Sequence, residues 1–204
     1  MSIILHEYPP SGNCYKLRLL MAHLGLAYAR RGYDILKGET RTPDFLAKVN
    51  GNGRIPVLEI DGVMLPESNA ALYYLAQGTP YWPQDPLGQA QVLQWLFFEQ
   101  YNHEPNVATV RFWIAFVGEA NLDDWQKATL PRKIAAGHAA LQVMEDHLAR
   151  TPFFVGGAYG IADIALYAYT HVAPEGGFDL SAYPALNAWM ARVAAQPGHV
   201  PIEA

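Results

Sequence analysis

Cysteine is almost absent from this chain of 204 residues; Cys14 is its only one. An internal disulfide and a zinc site built from several thiolates are therefore excluded. The seven histidines are dispersed, with no HExxH or similar ligand spacing, so no metal is expected. Positive charge is also sparse. The 14 Lys and Arg form no run, and the net charge of −5 argues against a nucleic-acid partner, which would call for a basic patch. No apolar stretch reaches the ~18 residues of a membrane span, so no membrane partner is expected. The basic and long apolar regions of a signal peptide are missing as well, and a cytoplasmic location is the expectation. With only 16% charged and 51% apolar residues, the chain can bury a core and is not of disordered composition.

Residues 1–78 read as mixed α/β. Ile3 to Leu5 is a short buried strand, and Leu17, Leu20, Met21 and Leu24 have helical spacing, closed by Gly25. Tyr28 to Ile35 completes a βαβ unit, whose strands should be parallel. Pro43 can open a short helix. Asp61-Gly62 between Pro56–Ile60 and Val63–Leu65 is a hairpin signal. Glu67 to Ala76 is then a helix, and the order is βαβαββα. Residues 79–86 are a proline-rich linker.

Residues 87–204 show no strand pattern and are expected to be all helical. Asp85 can cap a long helix that runs to about Gly118, kinked at Pro105. A short piece is expected over Asn121 to Thr129. Pro131 is expected to start another helix, in which Ile134, Leu141 and Leu148 recur every seven positions. Ile161 to Val172 and Tyr183 to Ala195 complete the domain.

Three motifs carry chemistry. Ser11-Gly12-Asn13-Cys14-Tyr15-Lys16 places a hydroxyl, an amide and a thiol where a strand hands over to a helix N-terminus. In an open α/β fold, ligands bind beyond the strand C-termini, and a helix N-terminus favours an anion such as a thiolate. Pro56 heads the hairpin, the position at which the thioredoxin arrangement holds a cis-proline whose preceding residue pairs with an extended peptide. At Glu67-Ser68-Asn69, Ser68 or Asn69 can act as a helix cap. The same residues can also bind an α-amino acid head group, with Glu67 facing the ammonium and Ser68 the carboxylate.

Taken in order, these motifs resemble those of the cytosolic glutathione S-transferases over essentially the whole chain, and most of all the bacterial members with Ser or Thr and Asn in the first turn. The resemblance implies a glutathione transferase fold: an α/β thioredoxin-like N-terminal domain followed by an all-α domain, working as a homodimer. Glutathione would be the co-substrate, with Ser11, Asn13, Arg54, Ile55, Pro56, Glu67 and Ser68 around it. Ser11 ranks first and Asn13 second as catalytic donors to the sulfur. Cys14 could instead form a mixed disulfide, as in cysteine-type relatives. Tyr8 is rejected, because the donor of tyrosine-type relatives falls at Glu7, and a one-residue offset in a strand reverses the face. Thr40 stands where some relatives carry a histidine that contacts the glycyl end. A small electrophile is expected against Tyr15, His103, Val107, Arg111 and Phe112. The stripe Leu93, Leu96, Phe97 and Tyr101 is core or dimer interface.

The implied reaction is conjugation of the thiolate to an electrophile. The alternatives are a glutathione-dependent disulfide reductase, peroxidase or isomerase, and a non-catalytic interaction protein on the same fold. One departure from the family is Gly160, where a Ser or Thr cap is usual before Asp163. Restoring it by Gly160→Ser is expected to stabilise the fold by a few tenths of a kcal/mol.

Overall fold

In the computed structural model, which describes residues 2–204, strand β1 (Ile3–Glu7) lies inside a four-stranded sheet of order β2-β1-β3-β4. Strand β2 (Ala29–Gly32) runs parallel to β1, with Ile4 opposite Ala29. Helix α1 (Gly12–His23) is the crossover that a parallel pair requires. Helix α2 (Pro43–Lys48) opens on Pro43, and the Thr42 hydroxyl accepts from the Phe45 N–H. Strand β3 (Val57–Ile60) is antiparallel to β1, with Leu58 opposite Leu5, and pairs with β4 (Val63–Pro66). Both residues of the Asp61-Gly62 turn have positive φ, 48° and 84°, as a two-residue hairpin of this twist needs. Helix α3 (Ser68–Ala76) packs on α1. Leu5, Leu17, Leu20, Met21, Leu58 and Leu72 form the fully buried centre.

Strand β2 is shorter than the expected Tyr28 to Ile35. The Asp34 carboxylate accepts from the N–H groups of Leu36 and Lys37 and turns the chain into a 3₁₀ turn, Ile35–Lys37.

The chain divides into two compact units, and Pro197–Ala204 belongs with the first, which otherwise ends at Thr79. The sequence pattern predicts these last residues in the helical domain. Polar side chains of α1 account for the difference. The Tyr15 hydroxyl donates to the Val200 carbonyl at 2.7 Å, and Arg18 donates to the Ile202 carbonyl at 2.5 Å and the Pro9 carbonyl at 2.9 Å. The Arg18 guanidinium also pairs with the buried Glu7 carboxylate, which Arg30 engages from the other side.

The second unit, Pro80–Gln196, contains helices α4 (Pro86–Phe98), α5 (Glu104–Arg111), α6 (Asp124–Leu148), α7 (Ile161–Thr170) and α8 (Pro184–Ala194). Between α4 and α5 the helix widens into a π turn, Glu99–His103. Pro105 lacks an N–H and its ring crowds the carbonyl four residues earlier, and the wider turn relieves both. A second π turn, Phe112–Val117, ends the run at Gly118, where φ is 83°.

Helix α6 corrects the expectation of two pieces. It is continuous through Pro131. Its start is fixed by a capping box, in which Gln126 N–H donates to Asp123 Oδ1 at 2.7 Å and Asp123 N–H donates to Gln126 Oε1 at 2.9 Å. Pro131 lies about two turns in, so its ring deletes a single backbone bond from a helix of 25 residues.

All ten residues of α7 are buried. Asp163 at its N-terminus accepts from Gly160 N–H at 3.0 Å, Phe154 N–H at 3.2 Å and Trp189 Nε1 at 2.8 Å. Burial pushes its carboxyl up to about 7, although these three N–H groups pull the other way. A Cβ at Gly160 would lie 3.0 Å from the Tyr81 carbonyl oxygen. That oxygen is held in place by the Ile161 N–H at 3.2 Å. Close backbone approach therefore explains the glycine, and the expected gain from a serine there is reversed. Gly160→Ser should lower the melting temperature, at a cost of about 1 kcal/mol, and Asp163→Ala should cost on the order of 3 kcal/mol by orphaning three buried donors. Thermal denaturation of both variants checks this; a raised melting temperature in Gly160→Ser would contradict it.

Candidate functional site

Ser11 is the N-cap of α1, with extended backbone at φ −73° and ψ 125°. Its Oγ accepts a long hydrogen bond, 3.4 Å, from the Cys14 N–H. A hydroxyl that caps as an acceptor keeps its proton for another partner. One residue into the helix, Asn13 is half-buried, and its Oδ1 accepts from the Ser68 hydroxyl at 3.3 Å. The first turn of α1 and the first residue of α3 thus meet directly, although 55 residues separate them in the chain.

Ser68 is buried and lies inside α3. The cap position falls to Glu67, so neither Ser68 nor Asn69 is the N-cap that the sequence suggested. Glu67 is exposed and has φ 71° and ψ 110°, a conformation rarely adopted by a residue with a Cβ. Such a conformation costs roughly 1–3 kcal/mol and persists only where its surroundings impose it. It turns the head of α3 so that Glu67 stands in solvent while Ser68 faces α1.

The Ile55–Pro56 bond is cis, and the buried Pro56 leads directly into β3. Arg54 is exposed, and its carbonyl accepts from Asn50 Nδ2 at 3.0 Å. Thr40 is buried.

Cys14 carries no exposed surface. Its Sγ accepts from the Tyr8 N–H at 3.5 Å, and burial pushes the thiol up to about 12. It behaves as a small core residue, and a mixed disulfide there would need the first turn of α1 to open.

Four of the five residues expected to face an electrophile are interior. Tyr15 is fully buried and spends its hydroxyl on the Val200 carbonyl, with His199 Nε2 at 3.2 Å. His103 is fully buried, with Nε2 2.9 Å from the Thr170 hydroxyl. Val107 is fully buried, and the buried Arg111 pairs with Glu175 at 2.8 Å. Phe112 alone is half-exposed, stacked on Phe116. The polar tips of Tyr15, His103 and Arg111 found internal partners far away in sequence, which residue spacing does not reveal.

Sequence pattern does not single out Lys16. It is fully buried, and its Nζ donates to Ser68 Oγ at 3.3 Å and Asn69 Oδ1 at 3.1 Å. A signal was present: a lysine next to the apolar run and three residues after Asn13, hence on the same helical face.

Residues 1–77 match the family model described as Glutathione S-transferase, N-terminal domain, and residues 127–192 match that of the C-terminal domain. The chain belongs to the glutathione S-transferase family. A solved glutathione S-transferase from Pseudomonas fluorescens Pf-5 is 50% identical, with a TM-score of 0.92 over 99% of each chain. Maleylacetoacetate isomerase from Rhizobium meliloti strain 1021 is 32% identical over 92% of this chain and 88% of that protein. A glutathione transferase from Pseudomonas putida, solved with one glutathione disulfide bound per subunit, is 25% identical, with a TM-score of 0.83 over 97% of this chain and 88% of that one. The fold is that of this family, and among the described residues no helix is long and apolar enough to cross a membrane.

The burial of Cys14 has a direct consequence. The native protein should react with iodoacetamide at neutral pH far more slowly than a free thiol, by at least ~100-fold, and should label fully after denaturation in urea. Mass spectrometry reads both. Rapid labelling of the native state would contradict a buried thiol.

Proposed function

We propose that this protein is a glutathione transferase that conjugates the glutathione thiolate to small electrophiles. The observation that carries this reading is the pair of donors at the head of α1, Ser11 and Asn13, tied through Ser68 to the head of α3. A glutathione molecule laid across this site would have its γ-glutamyl group at Glu67 and Ser68 and its cysteinyl backbone against Ile55 beside the cis Pro56. Its glycyl carboxylate would lie toward Arg54 and its sulfur over Ser11.

The chemistry follows from thiol ionisation. A free thiol with pKa near ~8.5 is only a few per cent thiolate at neutral pH. The Ser11 O–H and Asn13 NH₂ can donate to the sulfur, and each unit by which they lower its pKa is worth ~1.4 kcal/mol. The positive end of α1 acts in the same direction. The proton leaves to solvent, the thiolate forms a bond to the electrophilic carbon, and the leaving group departs with its bonding pair. Cys14 has no part in this step.

The similarity to an isomerase and to a transferase holding glutathione disulfide supports a second reading on the same site. In an isomerase or disulfide reductase, the same thiolate would add to a conjugated carbon or attack a disulfide sulfur. The strained Glu67 and the buried Ser68 and Lys16 favour a ligand-binding protein over a purely structural relative.

A homodimer fits the surface of α4 and the turn that follows. Leu96 is buried, while Leu93, Phe97 and Tyr101 of the same stripe are 38%, 70% and 83% exposed. Large apolar side chains grouped in this way are expected at an interface. Sedimentation equilibrium should give twice the chain mass of 22.6 kDa, and a single 22.6 kDa species would contradict the dimer.

The catalytic assignment is tested by kinetics with a model aryl halide. Ser11→Ala should lower kcat/KM by about 100-fold, as expected for loss of a donor to a developing anion, and should raise the thiol pKa of bound glutathione. Asn13→Ala should have a smaller effect and Cys14→Ala almost none. Full activity in Ser11→Ala with loss in Asn13→Ala would reverse the ranking. Strong disulfide reduction without aryl-halide conjugation would favour the second reading.

A further inference from the structure

Three polar side chains meet on the other face of the sheet. Alternation along the strands puts Ile4 and His6 on one face of β1, opposite Glu59 and Val57 of β3. Leu5 points the other way, into the fully buried centre. His6 has no exposed surface. Its Nε2 lies 2.9 Å from Glu59 Oε2, and its Nδ1 lies 2.9 Å from the Tyr33 hydroxyl. A carboxylate only accepts, so Nε2 carries the ring proton and Nδ1 accepts from the Tyr33 O–H. Tyr33 is half-buried just beyond β2. Its N–H donates to the Glu7 carbonyl at 2.8 Å, and its ring stands edge-on to Phe45 with centroids 4.9 Å apart. Hydroxyl, imidazole and carboxylate in this order are the arrangement of a nucleophile, its base and the group that orients the base. The conjugation step uses none of the three.

We propose that Tyr33 is a base-activated nucleophile toward activated acyl esters, with His6 as its base and Glu59 as the positioning residue of His6. Burial pushes the Tyr33 phenol above its usual range, helped by the charges of Glu59 and Asp44, while the Arg31 guanidinium beside it pulls the other way. The phenol is therefore protonated at neutral pH, and its reaction needs a base to take that proton. The Tyr33 oxygen forms a bond to the acyl carbon. The bond from that carbon to the ester oxygen breaks, and the leaving group departs with its bonding pair. The phenol proton passes to His6 Nδ1 and from there to solvent. Glu59 stabilises the imidazolium formed in between. The product is an O-acyl tyrosine, and glutathione takes no part in the step.

The test is reaction with para-nitrophenyl acetate in the absence of glutathione, read by peptide mass spectrometry and by release of para-nitrophenolate. Tyr33 should be acetylated faster than free N-acetyltyrosinamide at neutral pH. That advantage should shrink as pH rises, because a phenol without a base reacts as its anion. His6→Phe should slow acetylation of Tyr33 at least ~100-fold, and Glu59→Gln should slow it as well. Acetylation of Tyr33 no faster than that of the free phenol would overturn the proposal. So would an advantage that does not change with pH, or an unchanged rate in His6→Phe. If His6→Phe does not fold, Glu59→Gln carries the comparison, since that side chain is partly exposed; equal rates in Glu59→Gln and the wild type overturn the proposal.

Discussion

The hydrogen bond from the Ser68 hydroxyl to Asn13 Oδ1 joins two helix N-termini that the chain keeps far apart. Everything that gives the site its character converges on it. Helix α1 begins at Ser11 because a strand ends and a serine caps the turn. Helix α3 begins at Ser68 because Glu67 adopts a left-handed backbone and redirects the chain. Lys16 reaches the same hydroxyl from within α1. The N-termini of two helices then share one corner of the first unit, a setting that favours an anion.

Keeping α1 in place is the work of a second polar set. Glu7 at the end of β1 holds Arg18 and Arg30, and Arg18 in turn holds the carbonyls of Pro9 and Ile202. Buried ion pairs of this kind add little net stability but are costly to break. Their effect is to hold the strand end, the helix and residues 197–204 in one arrangement. The Glu7 carboxylate is committed to these two guanidinium groups and its role here is structural.

Local chemistry was legible in the sequence wherever the determinants are neighbours. Asp61-Gly62 marked the hairpin, Gly25 closed α1, and Pro43 opened α2, each because one residue's backbone preference decides the turn. The motifs Ser11-Gly12-Asn13, Ile55-Pro56 and Glu67-Ser68 were readable for the same reason, and their order pointed to the family. What failed depended on distant partners. His103 meets Thr170 and Arg111 meets Glu175, and both side chains are buried. Residues 197–204 belong with the first unit because Tyr15 and Arg18 offer donors to the carbonyls of Val200 and Ile202. Pro131 looked like a helix start, but a well-capped helix of 25 residues absorbs one lost bond. Gly160 looked like a missing cap, while its space is filled by the Tyr81 carbonyl.

The central claim is that glutathione lies across the heads of α1 and α3 with its sulfur over the Ser11 turn. A crystal structure of the complex with reduced glutathione tests it most directly. The account predicts the sulfur within hydrogen-bond distance of Ser11 Oγ or the Asn13 amide, the α-carboxylate at Ser68, and Cys14 still enclosed. A sulfur bonded to Cys14, or glutathione bound with its head group away from Ser68, would contradict it.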